Sequence, residues 1–184
     1  PALIPSMLNE NGEFHSSRTF REHFKLGEEL IDFDEACIEI RAQHDRFVEI
    51  VGREPDYFEA HAVMSKNLNR AISAVAQELG LKEQKANFDP AAVVHCGDAD
   101  LRMVMRSMEP DYEPKEAIMQ TVREMVEGET VIFVCHPGYL DRFILENSSL
   151  TTDRTKEVDA LIDPGLRAWL ESQPDLRLID YRDL

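Results

Sequence analysis

The apolar run at residues 131–135 limits the possible folds of this chain more than any other sequence feature. All five residues are apolar and most are β-branched or aromatic, which predicts a β-strand. Because polar residues do not alternate with them, the strand is expected to be buried on both faces, as in a parallel sheet covered by helices. Further strands are predicted at residues 57–61, 91–96 and 176–181, with helical patterns between them. This order predicts an α/β fold built from parallel βα repeats.

The predicted helices begin at capping or first-turn residues and end at glycines. Their starts and stops are Asp32 and Gly52, Ser65 and Gly80, and Pro114 and Gly128. Residues 153–161 also have a helical pattern, another helix is expected after Asp163 and Pro164, and residues 1–33 are expected to be irregular. His44 falls on the apolar stripe of the first of these helices, which is more typical of a packed histidine than of a metal ligand.

Length, charge and cysteine content narrow the classes of function. A chain of 184 residues suits a single domain over residues 1–184 with a sizeable core. A net charge of −16 argues against nucleic acid and against an anionic membrane surface as partners, since both attract clustered Lys and Arg. No apolar run approaches the ~20 residues of a membrane span. Three cysteines without CxxC spacing predict a reducing, cytoplasmic compartment.

Three of the strand-like runs end in a histidine: His61, His95 and His136. If the strands lie parallel in one sheet, the three imidazoles emerge at the rim where α/β sheets and (β/α) barrels place their chemistry. His95 also has Asp98 and Asp100 nearby, so it is a candidate for a substrate contact, with a role in bonding its own loop as the alternative.

The segment Cys135-His136-Pro137-Gly138 holds its histidine on a restricted turn. Proline fixes φ, and glycine permits conformations that other residues avoid. A fixed imidazole with a pKa near neutrality suits a proton donor or a metal ligand. The alternative is a histidine that only bonds its own turn, and the spacing alone does not separate the two.

The segments VCHPGYLD at 134–141, SSLTTDRTKEVDAL at 148–161 and LRLIDYRDL at 176–184 resemble the carboxyl-terminal part of the YdjC-like carbohydrate deacetylases. The segment PSMLNENGEFH at 5–15 is similar to a proline-rich loop of the same family. The resemblance implies a distorted (β/α) barrel that removes N-acetyl groups from chitooligosaccharides and related sugars. Since a complete barrel takes about 250 residues, this chain is expected to be the carboxyl-terminal portion, with further βα units before Pro1.

The resemblance also implies roles for individual residues. His61 matches a family metal ligand, at a strand end where Glu59 stands in place of the family's aspartate. A histidine that bonds only backbone is the alternative for that position. His136 matches the general acid that protonates the leaving amine. Glu59 and Tyr139 are candidate substrate contacts, whereas the family pattern assigns nothing clear to His95, which is a candidate contact from its position alone. Two more metal ligands and an aspartate general base are expected before Pro1.

The function implied is a metal-dependent hydrolase with one divalent ion, Mg²⁺ or Zn²⁺, and a small carbohydrate substrate. Its alternative is a non-catalytic sugar-binding or scaffold protein of the same fold, which the residues after His61 favour, because Ala62, Val63 and Ser65 carry no imidazole. A third reading is an unrelated metallohydrolase whose site a partner chain completes. Whether the chain forms a homodimer is not decided by the sequence.

Overall fold

The computed structural model describes residues 3–84, 93–96, 99–107 and 109–184. The helices within these ranges are α1 (Ser17–Lys25), α2 (Phe33–Val51), α3 (Lys66–Leu79), α4 (Pro114–Glu124), α5 (Arg142–Asn147), α6 (Thr152–Ile162) and α7 (Pro164–Glu171). The strands are β1 (Tyr57–Glu59), β2 (Lys82–Gln84), β3 (Val93–Cys96), β4 (Ala99–Val104) and β5 (Thr130–Phe133). Short 3₁₀ helices cover Pro5–Met7 and Tyr181–Asp183.

The chain divides into two compact units. Unit 1 comprises Pro1–Asp100 and Asp180–Leu184, and unit 2 comprises Leu101–Ile179. The prediction of a single domain over residues 1–184 stays a prediction.

Unit 1 is built around a βαβ element in which α3 connects two parallel strands. β1 and β2 pair in register from Tyr57 opposite Lys82 to Glu59 opposite Gln84. β3 then pairs antiparallel to β2 through Gln84 and Cys96. Helices α2 and α3 pack together and bury a core of small and branched side chains. This core includes Ile31, Ala36, Ile40, Ala71, Ile72 and Val75.

The start of α3 is fixed by a carboxylate from a distant part of unit 1. Ser65 accepts a hydrogen bond from the Leu68 N–H, as expected for a helix cap. The Ser65 hydroxyl in turn donates to Glu29 Oε1 at 2.7 Å. Glu29 Oε2 accepts from the N–H groups of Lys66 at 2.7 Å and Asn67 at 3.1 Å. One acidic side chain therefore satisfies free N–H donors in the first turn, where the helix dipole also favours negative charge.

Unit 2 contains the second βαβ element, with α4 connecting β4 to β5. These strands are parallel and in register from Leu101 opposite Thr130 to Val104 opposite Phe133. Leu101 is fully buried, as are Ser107 and Glu157 beyond the strands. Helix α6 packs against α4 and α7.

The α/β class and the parallel βαβ order predicted from the sequence are confirmed by these pairings. The predicted caps at Asp32, Gly52, Ser65 and Gly80 and the Pro114 start are confirmed, and α6 and α7 follow the prediction closely. α4 ends at Glu124, before the expected Gly128. The described part of the predicted strand at 91–96 is Val93–Cys96; Ala91 and Ala92 lie outside the described residues.

Four expectations about the fold are wrong. β5 is half-buried along its length in place of the expected burial on both faces. Residues 1–33 contain α1, whose cap is Ser16. Residues 176–181 form no strand; Tyr181 instead starts a 3₁₀ helix and stacks its ring on Tyr57 at 3.8 Å. The antiparallel pairing of β3 also departs from the parallel order expected. None of the helices within the described residues is long and apolar enough to span a membrane.

Candidate functional site

The edge of unit 2 beyond β4 and β5 brings a serine and a histidine together. The ladder ends at Val104 opposite Phe133, after which the Val134 N–H donates to the Val104 carbonyl at 2.7 Å. Ser107 and His136 follow the two strands at matching distances along the chain. Because the strands are parallel and in register, these residues emerge at the same edge. Ser107 Oγ and His136 Nδ1 lie 3.3 Å apart.

The turn that carries His136 is held from α6. Glu157 Oε2 accepts from the His136 backbone N–H at 2.5 Å. Arg154 Nη1 donates to the His136 carbonyl at 3.4 Å, and the Arg154 carbonyl accepts from the Gly138 N–H at 3.3 Å. Arg154 and Glu157, three residues apart on α6, therefore both bond this turn. Gly138 is not among the glycines with positive φ, so its backbone freedom does not explain the turn.

The contact with Ser107 determines what the His136 ring can do. A serine oxygen can accept from Nδ1–H both in the imidazolium and in the neutral Nδ1–H tautomer. Nε2 then remains as the atom that exchanges a proton with a ligand. The side chain of His136 is half-buried, whereas the neighbouring Tyr139 is 81% exposed and so accessible to a ligand. His136 and Tyr139, both predicted site residues, thus lie on one turn of unit 2.

Cys135 directly precedes His136, yet it is poorly suited to act as a nucleophile. Burial, with the nearby Glu157 carboxylate as a second cause, raises the pKa of Cys135 to about 11. At neutral pH the group is therefore a thiol, and only the thiolate is an effective nucleophile. The chemistry available at this turn is proton transfer by the imidazole.

Glu59 and His61 lie together in unit 1, where both line a cavity of about 510 Å³. The rest of its lining is mainly apolar and includes the aromatic rings of Phe14, Phe20, Phe47 and Tyr57. Within the described residues no hydrogen bond or ion pair involves the side chains of Glu59 or His61, so both are free to meet a ligand. The only bond described at His61 runs from the Val63 N–H to its carbonyl, across Ala62 at a φ of 58°. A non-glycine residue in this region is strained, a condition that often accompanies a functional site.

His95, the third predicted histidine at a strand end, lies in β3 of unit 1. Glu59 pairs with Gln84 and Gln84 pairs with Cys96, so His95 lies near the edge of the sheet where β1 ends. Its Nδ1 lies 2.5 Å from Asp100 Oδ1, and both side chains are mostly exposed. Asp98 lies outside the described residues. The described residues thus give His95 a local carboxylate partner, which agrees with the loop-bonding alternative.

The described side chains do not form a complete metal centre. No group of three or more His, Cys, Asp and Glu residues that could hold a metal ion exists in the described ranges. A tetrahedral zinc site requires three or four protein ligands, and Mg²⁺ requires oxygen ligands in an octahedron. The residues described here therefore do not fit the implied ion by themselves, and we derive no catalytic step through a metal.

His44, which also lines the cavity, is a packed helix histidine as the sequence predicted. Its pKa is raised by the hydrogen bond from Nε2 to Glu54 at 2.6 Å, then by the bond from Nδ1 to Asp45 at 3.1 Å. Because the pKa is higher in the folded state, this stabilisation is full below the unfolded value of about 6.5 and is lost as the pH rises through the folded value.

We therefore expect the free energy of unfolding to fall between about pH 6 and about pH 8 through His44. Urea unfolding of the wild type and of a Glu54→Gln variant at both pH values measures this contribution as a difference. Glu54→Gln should remove most of it, because Glu54 is the leading cause of the raised pKa. An equal fall with pH in both proteins would contradict the assignment.

The sequence does not predict Ser107 and Glu157 as contacts of His136, or Tyr112 as a partner of Glu157. The Tyr112 hydroxyl donates to Glu157 Oε1 at 3.0 Å, and both residues are buried, as is Ser107. The only available signal was the matching spacing of Ser107 and His136 after their strands, which becomes visible once β4 is recognised. Glu157 lies in the family-like segment at 148–161, but nothing in the sequence indicates its partner.

Comparison with known proteins gives a consistent result. The family model described as YdjC-like protein matches residues 1–172. Carbohydrate deacetylase 2 of Listeria innocua is 27% identical over 182 residues, which cover 97% of this chain and 70% of that protein. A chitooligosaccharide deacetylase of Serratia marcescens is 28% identical over 194 residues, covering 98% and 72% of the two chains.

A solved structure from Enterococcus faecalis V583 shares the fold. It was described as a putative cellobiose-phosphate cleavage protein, and it superposes with a TM-score of 0.76 at 22% identity. The match covers 98% of this chain and 69% of the other. At this identity the likeness concerns the fold alone, and it agrees with the α/β class described above.

Proposed function

Because the chain belongs to the YdjC-like protein family, we propose that it acts as a carbohydrate deacetylase on an N-acetylated amino sugar of the chitooligosaccharide type. Relatives from Listeria innocua and Serratia marcescens carry the names carbohydrate deacetylase and chitooligosaccharide deacetylase. The observation that carries the proposal is the His136 turn, in which Ser107 holds Nδ1 and leaves Nε2 for proton transfer.

The reaction explains why a held imidazole is needed. Hydrolysis adds water across the amide, breaks the C–N bond, and yields acetate and a free amine. An amine anion is a very poor leaving group, so the nitrogen must receive a proton as the C–N bond breaks. In this proposal His136 Nε2–H supplies that proton, and Ser107 stays bonded to Nδ1–H before and after the transfer. Tyr139, exposed beside His136, is proposed to contact the sugar.

Glu59 and His61 are proposed to contact a sugar in the cavity of unit 1. Aromatic rings in its lining suit the apolar faces of a pyranose, while a carboxylate can accept from sugar hydroxyls. His95 is the weakest of the proposed contacts, because Asp100 already bonds its ring.

The second candidate function is a sugar-binding protein without catalysis. It is favoured by Ala62, Val63 and Ser65, which follow His61 where further imidazoles could otherwise contact metal or sugar. A binding protein and an enzyme both retain affinity for the sugar, so affinity alone does not separate them. Turnover does.

The experiment is to incubate the purified chain with di-N-acetylchitobiose and quantify acetate and free amine. The proposal predicts both products in equal amounts. Saturable binding of the disaccharide with neither product formed, in the presence of added Mg²⁺ or Zn²⁺, would support the binding protein and reject the enzyme.

One divalent ion, Mg²⁺ or Zn²⁺, with His61 among its ligands is also a proposal. Elemental analysis of the purified protein and its His61→Ala variant tests it, with loss of the ion from the variant expected. Equal metal content in the two proteins would exclude His61 as a ligand. Cytoplasmic location and a homodimer remain predictions.

A further inference from the structure

The carboxylate of Glu157 is the most completely enclosed acidic group in the described part of the chain. The residue has 0% relative exposure. Its Oε1 accepts from the Tyr112 hydroxyl at 3.0 Å, and its Oε2 accepts from the His136 N–H at 2.5 Å. Burial, and then the bond to Glu157, raise the pKa of Tyr112 above its usual range, so the phenol remains a donor. Both oxygens thus have a protonated partner.

Burying a carboxylate at this position costs free energy. Removing it from water is unfavourable, and two hydrogen bonds recover only part of the lost hydration. An apolar side chain in its place would avoid that desolvation, but it would leave the Tyr112 hydroxyl and the His136 N–H without an acceptor. The carboxylate does provide a strong acceptor at a fixed point, since hydrogen bonds to a charged acceptor are shorter and stronger than neutral ones.

That fixed point is the backbone of His136. The β4–β5 ladder extends only to Val134, so sheet pairing no longer fixes the backbone at His136. Glu157 replaces the missing ladder partner with an acceptor on the rigid helix α6, while Ser107 holds the ring at Nδ1. With its backbone and its ring each held at one atom, the imidazole has little freedom to swing away from a bound substrate.

We propose that Glu157 is a positioning residue for His136, which fixes the histidine backbone through its N–H so that Nε2 is presented to the leaving amine. The inference rests on the proposed deacetylation. Glu157 itself touches neither substrate nor the transferred proton.

The test compares Glu157→Ala with Glu157→Gln, and uses Asp159→Asn as the control. Gln keeps an oxygen that can accept from the His136 N–H, whereas Ala keeps none. Asp159 is an exposed acid on the same helix, so its variant makes the same change in charge as Glu157→Gln.

With di-N-acetylchitobiose as substrate, kcat of Glu157→Ala should fall at least about tenfold, since small displacements of a catalytic group are costly. KM should change far less. Glu157→Gln should recover most of kcat, and Asp159→Asn should match the wild type. Equal losses in the Ala and Gln variants, or a loss confined to KM, would overturn the positioning role.

A second readout does not depend on activity. In ¹⁵N-resolved NMR spectra, the His136 amide of the wild type should resonate far downfield and exchange slowly, as expected for a donor to a carboxylate. In Glu157→Ala it should move upfield and exchange faster, together with a shift of the ring nitrogens. If Glu157→Ala does not fold, the same comparison is made with Glu157→Gln, where a smaller upfield shift is expected. An unchanged His136 amide in the folded variant would reject the inference.

The two readouts separate the inference from the proposed function. Suppose that the wild type releases no acetate while the His136 NMR signals shift in the Glu157 variants as expected. Deacetylation is then rejected, but the hydrogen bond by which Glu157 fixes the His136 backbone is supported. If acetate is released but Glu157→Ala retains full kcat, the positioning role is rejected and the deacetylase function is kept.

Discussion

Replacing His136 with asparagine is expected to lower kcat for deacetylation of di-N-acetylchitobiose by at least about 100-fold. Asparagine is similar in size and can still bond Ser107, so the turn should be retained. What it lacks is a group that can give a proton to the departing amine at neutral pH. Because binding of the sugar does not need that proton, KM should change by much less than kcat.

The matched control is His23→Asn, which replaces a partly exposed histidine of α1 whose ring bonds Glu28. It should leave both kinetic constants unchanged. Circular dichroism of the two variants should match that of the wild type. Full turnover by a folded His136→Asn protein would remove His136 from the mechanism.

Replacing Glu29 with alanine is expected to lower the free energy of unfolding by about 1–3 kcal/mol. The variant leaves the N–H groups of Lys66 and Asn67 and the Ser65 hydroxyl without their carboxylate partner. It also removes a negative charge from the positive end of the α3 dipole. Urea unfolding followed by circular dichroism measures the loss, and the first turn of α3 should exchange its amide hydrogens faster.

Glu28→Ala provides the neighbouring control. Glu28 bonds His23 at an exposed position, so its removal should cost less than about 1 kcal/mol. Since the segment from His61 to Ser65 leads directly into α3, loss of the Glu29 cap should also weaken the sugar binding that is proposed at His61. Equal stability of the Glu28 and Glu29 variants would show that the cap contributes nothing specific.

The parts of the fold that sequence predicts best are those decided by local chemistry. Asp32 and Gly52 bound α2 because the aspartate accepts N–H groups of the first turn and the glycine adopts a φ of 76°. Ser65 and Gly80 bound α3 for the same reasons. The parallel strand pairing within each unit follows from the alternation of strands and helices along the sequence. The apolar run at β5 makes that alternation recognisable.

The failures concern structure decided by distant partners. The apolar residues around Tyr181 predict a strand, yet its ring stacks on Tyr57 and its hydroxyl bonds Gln84. β2 consists of Lys82, Glu83 and Gln84, polar residues whose pattern gave no strand signal. Tertiary pairing with β1 overrides their low β propensity.

The sequence likewise predicts some residues of the candidate site and not others. Sequence motifs identified His136 and Tyr139, which the structure brings onto one turn. Sequence motifs also identified Glu59 and His61, which line the same cavity in the structure. Ser107 becomes predictable only once β4 is recognised, and Glu157 not at all, because each meets His136 across a long separation in the chain. No local pattern encodes such contacts.

The central claim, that His136 protonates the leaving group, is tested most directly by comparing two substrates with the His136→Asn variant. Di-N-acetylchitobiose releases a basic amine that needs a proton, whereas 4-nitrophenyl acetate releases a stable anion that does not. The account predicts that the variant loses hydrolysis of the amide at least about 100-fold while it hydrolyses the ester at close to the wild-type rate. Equal losses for the two substrates would contradict a role in protonating the leaving group.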